Sequence, residues 1–151
     1  MTRRLDDEAA TAALGAALAV LLKPGMKIYL SGDLGAGKTT LVRAVLRGLG
    51  FMGKVKSPTY SLVELYGISR LNLYHFDFYR LNNPSEWGDA GFREYFDADA
   101  ACLVEWPEKA GALLPVPDMR VRLRIADSGR DVEIAAETEA GRQCLTQLQQ
   151  S

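Results

Sequence analysis

The chain has 151 residues, 48% of them hydrophobic and 25% charged, with a formal net charge of −1, the profile of one globular domain able to bury a proper core. That balance argues against a large sequence-independent grip on nucleic acid, which needs many Lys and Arg to displace condensed counterions, while leaving room for a local basic patch. The two cysteines, Cys102 and Cys144, lie far apart and outside any CxxC spacing, which argues against structural zinc and a disulfide framework and reads as small apolar residues in a reducing cytosol.

Arg3 and Arg4 ahead of the apolar run 9–22 superficially suggest a secretory leader. Asp6, Asp7 and Glu8 interrupt that pattern, no small-residue cleavage site follows, and the run is too short to span a bilayer as a helix. Asp6 is instead the expected N-cap of a helix reaching about Leu22, with Asp7 and Glu8 in its first turn. Leu14, Leu18 and Leu21, with Ala10 and Ala17, give it a core face, and Lys23-Pro24-Gly25 ends it.

Residues 26–31 (MKIYLS) read as a short apolar strand followed at once by a Gly-rich turn. From Lys38 to about Leu49 a second helix is expected, with Leu41, Val45 and Leu49 on one face. Beyond a polar loop at 54–60, segments 60–66 and 71–78 read as two strands joined by a turn at 67–70. Residues 82–91, punctuated by Pro84 and two glycines, read as a short helix or turns. The continuously apolar run 100–104, ending in Glu105, is how a strand buried on both faces of a parallel sheet reads. Segment 119–126 alternates, with Arg120, Arg122 and Arg124 on one face, and Asp127-Ser128-Gly129 turns it into 131–135 as a hairpin. The polar tail from Glu137 reads as a helix. The expected class is therefore α/β: a P-loop NTPase-like mixed sheet flanked by helices, with a C-terminal antiparallel hairpin and helix, in a single domain over 1–151.

Residues 32–39 (GDLGAGKT) fit GxxxxGK[ST] between an apolar strand and a helix. Glycines at 32, 35 and 37 let the backbone turn its N–H groups inward around a β-phosphate, and the helix start adds its positive end. Lys38 is expected on the β- and γ-phosphates and the Thr39 hydroxyl on Mg²⁺. Gly35, Ala36, Gly37, Lys38, Thr39 and Thr40 thus form the expected nucleotide-binding stretch. No Asn-Lys-x-Asp guanine-reading segment occurs, so ATP is the expected nucleotide.

Such a site needs a carboxylate at the end of a neighbouring strand. Glu105 ends the buried run at the edge where open α/β sheets bind ligands, and is favoured as the metal-side carboxylate. Asp77 shares a strand face with His75 and Tyr79 and is favoured as the group orienting the attacking water. For either carboxylate the alternative is a solvated strand end or an ion pair with an arginine such as Arg80. His75, the single histidine, reads as a hydrogen-bonded structural residue. Trp106 either packs on the nucleotide or caps the core.

In this order GDLGAGKTT (32–40), SPTYSLVE (57–64), YHFDFYRL (74–81) and LVEWPEK (103–109) resemble the bacterial TsaE family, the ATPase of tRNA threonylcarbamoyladenosine biosynthesis. The pattern Thr11-x-x-Leu14-Gly15 fits as well, and the matches span about residues 5–110. The resemblance implies a compact domain that binds ATP and Mg²⁺, has weak ATPase activity alone, and acts in the cytoplasm with the TsaB–TsaD pair, tRNA being engaged indirectly. It supports Thr39 and Glu105 as magnesium ligands, Asp77 as catalytic, Ser57-Pro58-Thr59 as a switch-like loop in which Thr59 responds to the γ-phosphate, and Thr11 on the adenine side. Phe78 stands where the family usually has Leu, and Ser61 where Thr is common; both exchanges are mild.

Two rival readings stand beside this one. A P-loop small-molecule kinase would close a lid and paired arginines over both substrates; the stretch 82–91 is short for a lid. A nucleotide-gated assembly factor would act by population shift, without required hydrolysis.

Overall fold

The computed structural model describes residues 1–55, 58, 62–68, 71–83, 93–97 and 99–150. Its elements run β1 (Thr2–Leu5), α1 (Glu8–Leu21), β2 (Lys27–Ser31), α2 (Lys38–Gly48), β3 (Val63–Tyr66), β4 (Leu73–Asp77), α3 (Arg93–Asp97), β5 (Ala101–Glu105), two short 3-10 turns (Pro107–Lys109 and Gly111–Leu113), β6 (Met119–Ala126), β7 (Gly129–Ala136) and α4 (Glu139–Gln149). The strands form one seven-stranded sheet in the order β1-β7-β6-β2-β5-β4-β3. β6, β2, β5 and β4 are mutually parallel, and antiparallel strands extend the sheet at both edges. This is the expected α/β architecture with its C-terminal hairpin and helix.

All five residues of β5 are buried, as its unbroken apolar run requires between β2 and β4. One sheet face, carrying Ile28, Leu30, Leu73, Leu103, Val121 and Ile134, packs under α1, α2 and α4. On the other, Tyr29, Phe76, Cys102 and Val104 meet Phe96 of α3 and Ala110. Arg120, Arg122 and Arg124 share the exposed face of β6. Both cysteines are buried free thiols, as expected, and burial pushes the Cys102 thiol up to about 12.

The structure corrects several boundaries. Asp7, not Asp6, caps α1, its carboxylate accepting from the Ala10 N–H at 2.9 Å; Asp6 instead pairs with Arg4. The buried stripe of α1 is Thr11, Leu14, Gly15, Leu18 and Ala19, with Ala10, Ala17 and Leu21 only flanking it. The reason is the neighbouring helix: a Cβ on Gly15 would stand 2.3 Å from the Ala44 Cβ, so small residues bring α1 onto α2. Strand β1, read only as a basic flank, pairs with β7, a long-range partner with no local signal. Helix α3 was likewise not expected. The anticipated turn at 67–70 and the segment 82–91 fall largely outside the described residues, as do Tyr60 and Ser61 at the start of the strand expected over 60–66. Among the described residues, no helix is long and apolar enough to cross a membrane.

Candidate nucleotide-binding site

The loop between β2 and α2 is shaped by its glycines. Gly32 has φ +143, and a Cβ there would lie 2.4 Å from the Leu123 carbonyl oxygen of β6, so the chain passes only without a side chain. Gly37, at φ +108, is the N-cap of α2 and brings no side-chain oxygen to its first turn. The first-turn N–H groups thus have no side-chain cap from Gly37, and with the positive helix end they offer chemistry that suits an anion.

Lys38 is buried, 5% exposed. Its ammonium donates to the carbonyls of Gly32 and, at 3.3 Å, Asp33, and lies 4.2 Å from the centre of the Trp106 ring. Burial lowers its pKa, against the opposing pull of Glu105, Asp77, Glu108 and Asp33. Trp106 reaches this position through a left-handed backbone, φ 57 and ψ 49. That conformation costs a bulky residue about 1–3 kcal/mol and marks a constrained site. Its ring also meets Tyr79, 5.1 Å between centres.

The carboxylates come from adjacent parallel strands in register, Asp77 opposite Glu105. Period-two alternation puts both on the α2 side of the sheet, with Leu73 and Leu103 below them. Glu105 is 3% exposed and accepts a 2.6 Å hydrogen bond from Nε2 of the fully buried His75. The partner of Glu105 is thus His75 rather than Arg80, and the single histidine is hydrogen-bonded as its strand context suggested. Asp77 accepts from the Tyr79 N–H at 3.0 Å. Burial raises the Asp77 pKa; the Tyr79 N–H opposes this, Glu105 adds to it, and His75 and Lys38 oppose it.

These groups line one cavity of about 540 Å³, within the range of small-ligand sites. Of the residues singled out from sequence, Thr11, Gly35, Gly37, Lys38, Thr39, Thr40, Asp77, Glu105 and Trp106 border it. Ala36 does not: it is buried, and its N–H is held by the Asp33 carbonyl at 3.0 Å. Thr59 and Ser57 lie outside the described residues. The donor set suits Mg²⁺, since Thr39, Asp77 and Glu105 offer hard oxygens. Among the described residues no three His, Cys, Asp or Glu side chains cluster as a metal cage.

The sequence reading missed the opposite wall. Arg130, at the start of β7, donates from Nε to the Ala36 carbonyl at 3.0 Å and from Nη2 to the Gly35 carbonyl at 3.1 Å. Ser128 and Gly129 border the cavity beside it. No local pattern marks an arginine after a hairpin turn; only the sheet order, which sets β6 beside β2, would have pointed to it.

The sequence profile of the family described as "Threonylcarbamoyl adenosine biosynthesis protein TsaE" matches residues 5–134. The chain is 44% identical to the tRNA threonylcarbamoyladenosine biosynthesis protein TsaE of Haemophilus influenzae over 97% of its own length and 96% of that protein's. It is 39% identical to the Bacillus subtilis protein of the same name, over 83% of this chain and 79% of that one. The crystal structure of YdiB from Bacillus subtilis superposes with a TM-score of 0.86 at 29% identity, covering 99% of this chain and 94% of that one.

Proposed function

Because the chain belongs to the TsaE family, we propose that it binds ATP with Mg²⁺, hydrolyses it weakly by itself, and serves tRNA threonylcarbamoyladenosine biosynthesis beside TsaB and TsaD partners. The observation that carries this reading is the convergence, on one cavity, of Lys38, the start of α2, Thr39 and the in-register carboxylates Asp77 and Glu105. The role in tRNA modification rests on what the family's members are named for.

In this reading Lys38 exchanges the Gly32 and Asp33 carbonyls for phosphate oxygens, and the α2 terminus neutralises the β-phosphate. Asp77 orients a water whose oxygen forms a bond to the γ-phosphorus as the bond to the bridging oxygen breaks, releasing ADP and phosphate. Thr39 and Glu105 would hold the magnesium, which when bound would offset charge on the phosphate oxygens. Thr11 and Arg130, which line the cavity from outside the glycine-rich loop, border the space left for the nucleoside.

The test is calorimetric titration with ATP, ADP and GTP, with and without Mg²⁺, alongside Lys38→Ala. Magnesium-dependent binding of adenine nucleotides that the variant loses supports the reading, and hydrolysis stimulated by added TsaB and TsaD supports the partners. A preference for GTP, or binding indifferent to Lys38, overturns it.

A further inference from the structure

Resting on the magnesium–ATP reading above, we infer that His75 is a positioning residue: its Nε2–H fixes the Glu105 carboxylate in the orientation that meets the metal or its bound water. Three observations carry this. The His75–Glu105 bond, 2.6 Å long, is buried on both sides, His75 at 0% and Glu105 at 3% exposure. A carboxylate only accepts, so Nε2 is the donor. The bond engages Oε2 of Glu105, a residue that borders the cavity, and Oε1 is the oxygen assigned to the metal or its bound water.

The backbone that carries the ring is fixed by the sheet. His75 sits inside β4, with Glu64 of β3 on one side and Leu103 of β5 on the other. Glu105, by contrast, is the last residue of β5, and the chain turns sharply at Trp106 immediately after it. At the end of β5 the Glu105 carboxylate takes its hydrogen bond from the neighbouring strand, through His75 Nε2.

The third observation separates this role from simple stabilisation. Among the described residues His75 Nδ1 has no hydrogen-bond partner. A buried imidazole whose Nδ1 meets no partner among the described residues is a poor way to fill a sheet face that Leu73 and Leu103 fill beside it. Buried polar pairs of this kind are weak contributors to stability compared with apolar residues of similar size. Orientation of a metal-side carboxylate is what such a partner does well, and its loss typically weakens metal affinity about 10–100-fold.

The test uses the difference between the two ring nitrogens. The amide nitrogen of Gln reaches the place of Nε2, whereas that of Asn stops near Nδ1. For His75→Gln and His75→Asn, the Mn²⁺ affinity of the protein–ADP complex is measured by electron paramagnetic resonance of free Mn²⁺, with ADP affinity in EDTA as the control. Expected are an approximately 10–100-fold weaker Mn²⁺ affinity for the Asn variant, near-complete recovery for the Gln variant, and metal-free ADP affinity unchanged in both. Equal Mn²⁺ affinity in wild type and Asn variant overturns the inference, as does a parallel loss of metal-free ADP binding, which marks a structural role. A wild-type protein with no ADP-dependent Mn²⁺ site overturns the magnesium reading itself, a result distinguishable from the other two.

Discussion

Two walls of the cavity are built in opposite ways. The wall made by the glycine-rich loop draws on near neighbours in sequence (Asp33, Leu34, Gly35, Gly37, Lys38, Thr39 and Thr40) and holds its own lysine with the Gly32 and Asp33 carbonyls. The far wall is assembled from β1, α1 and the β6–β7 turn, and reaches the loop through Arg130, which is 94 residues from the carbonyl of Ala36 that it grips. Recognition chemistry is thus local, and the rigidity that lets it act is long-range. A change in the first wall should remove the ligand and spare the fold; a change in the scaffold of the second should do the reverse.

The largest expected effect is that of Lys38→Ala. Loss of charge-assisted bonds to two phosphates should weaken nucleotide binding on the order of 100-fold or more, as calorimetry would read. The nucleotide-free protein should not lose stability, since burial already disfavours the Lys38 charge. Equal losses of binding and melting temperature in this variant would break the comparison.

Next comes Gly141→Ala, in the scaffold. The new Cβ would lie 1.9 Å from the Asp118 carbonyl oxygen, where Asp118 both caps the Thr138 hydroxyl and ties to β2 at the Lys27 N–H. Such overpacking should cost about 2–3 kcal/mol, visible as a fall of roughly 5–10 °C in Tm. Nucleotide affinity of the folded fraction should be unchanged.

Arg130→Ala tests the link between the walls. Removing its bonds to the Gly35 and Ala36 carbonyls should accelerate hydrogen exchange of the loop amides. Nucleotide affinity should fall about 10-fold, the worth of roughly one charge-assisted hydrogen bond, and Tm should hardly move.

The smallest effect sharpens the electrostatics. Burial raises the Asp77 pKa, so between its ordinary value and the raised one the native state binds more protons than the unfolded state. Stability therefore falls as pH rises through that window. Asp77→Asn should melt higher than wild type at neutral pH, with the gain vanishing below the ordinary carboxylate range. Differential scanning calorimetry at several pH values would read this, and a gain independent of pH would contradict it.

How much of this was legible beforehand follows from the same contrast. The glycines, Lys38 and Thr39 declare themselves because their chemistry fixes residue types at short spacing, and Glu105 because a doubly buried strand cannot end in a carboxylate without consequence. Asp77 was placed on the correct face by simple alternation. Arg130 and strand β1 were not visible, since nothing within a few residues of either records that β7 lies between β1 and β6. The α1 stripe was misplaced for a related reason: counting large apolar residues misses a helix contact made through Gly15 and Ala44.

The sheet order also sets a schedule for synthesis. β2, which leads into the glycine-rich loop, lies between β5 and β6, so it waits at an open edge until residues 101–126 have been made. The clamp on the loop waits for Arg130. At about 5–20 residues per second, a nascent chain carries the completed glycine-rich motif for about 5 to 18 seconds before its site can close. During that interval the apolar run of β2 is an unpaired strand edge exposed to wrong partners. The segment best equipped to hold a ligand is among the first translated and among the last to gain its supports.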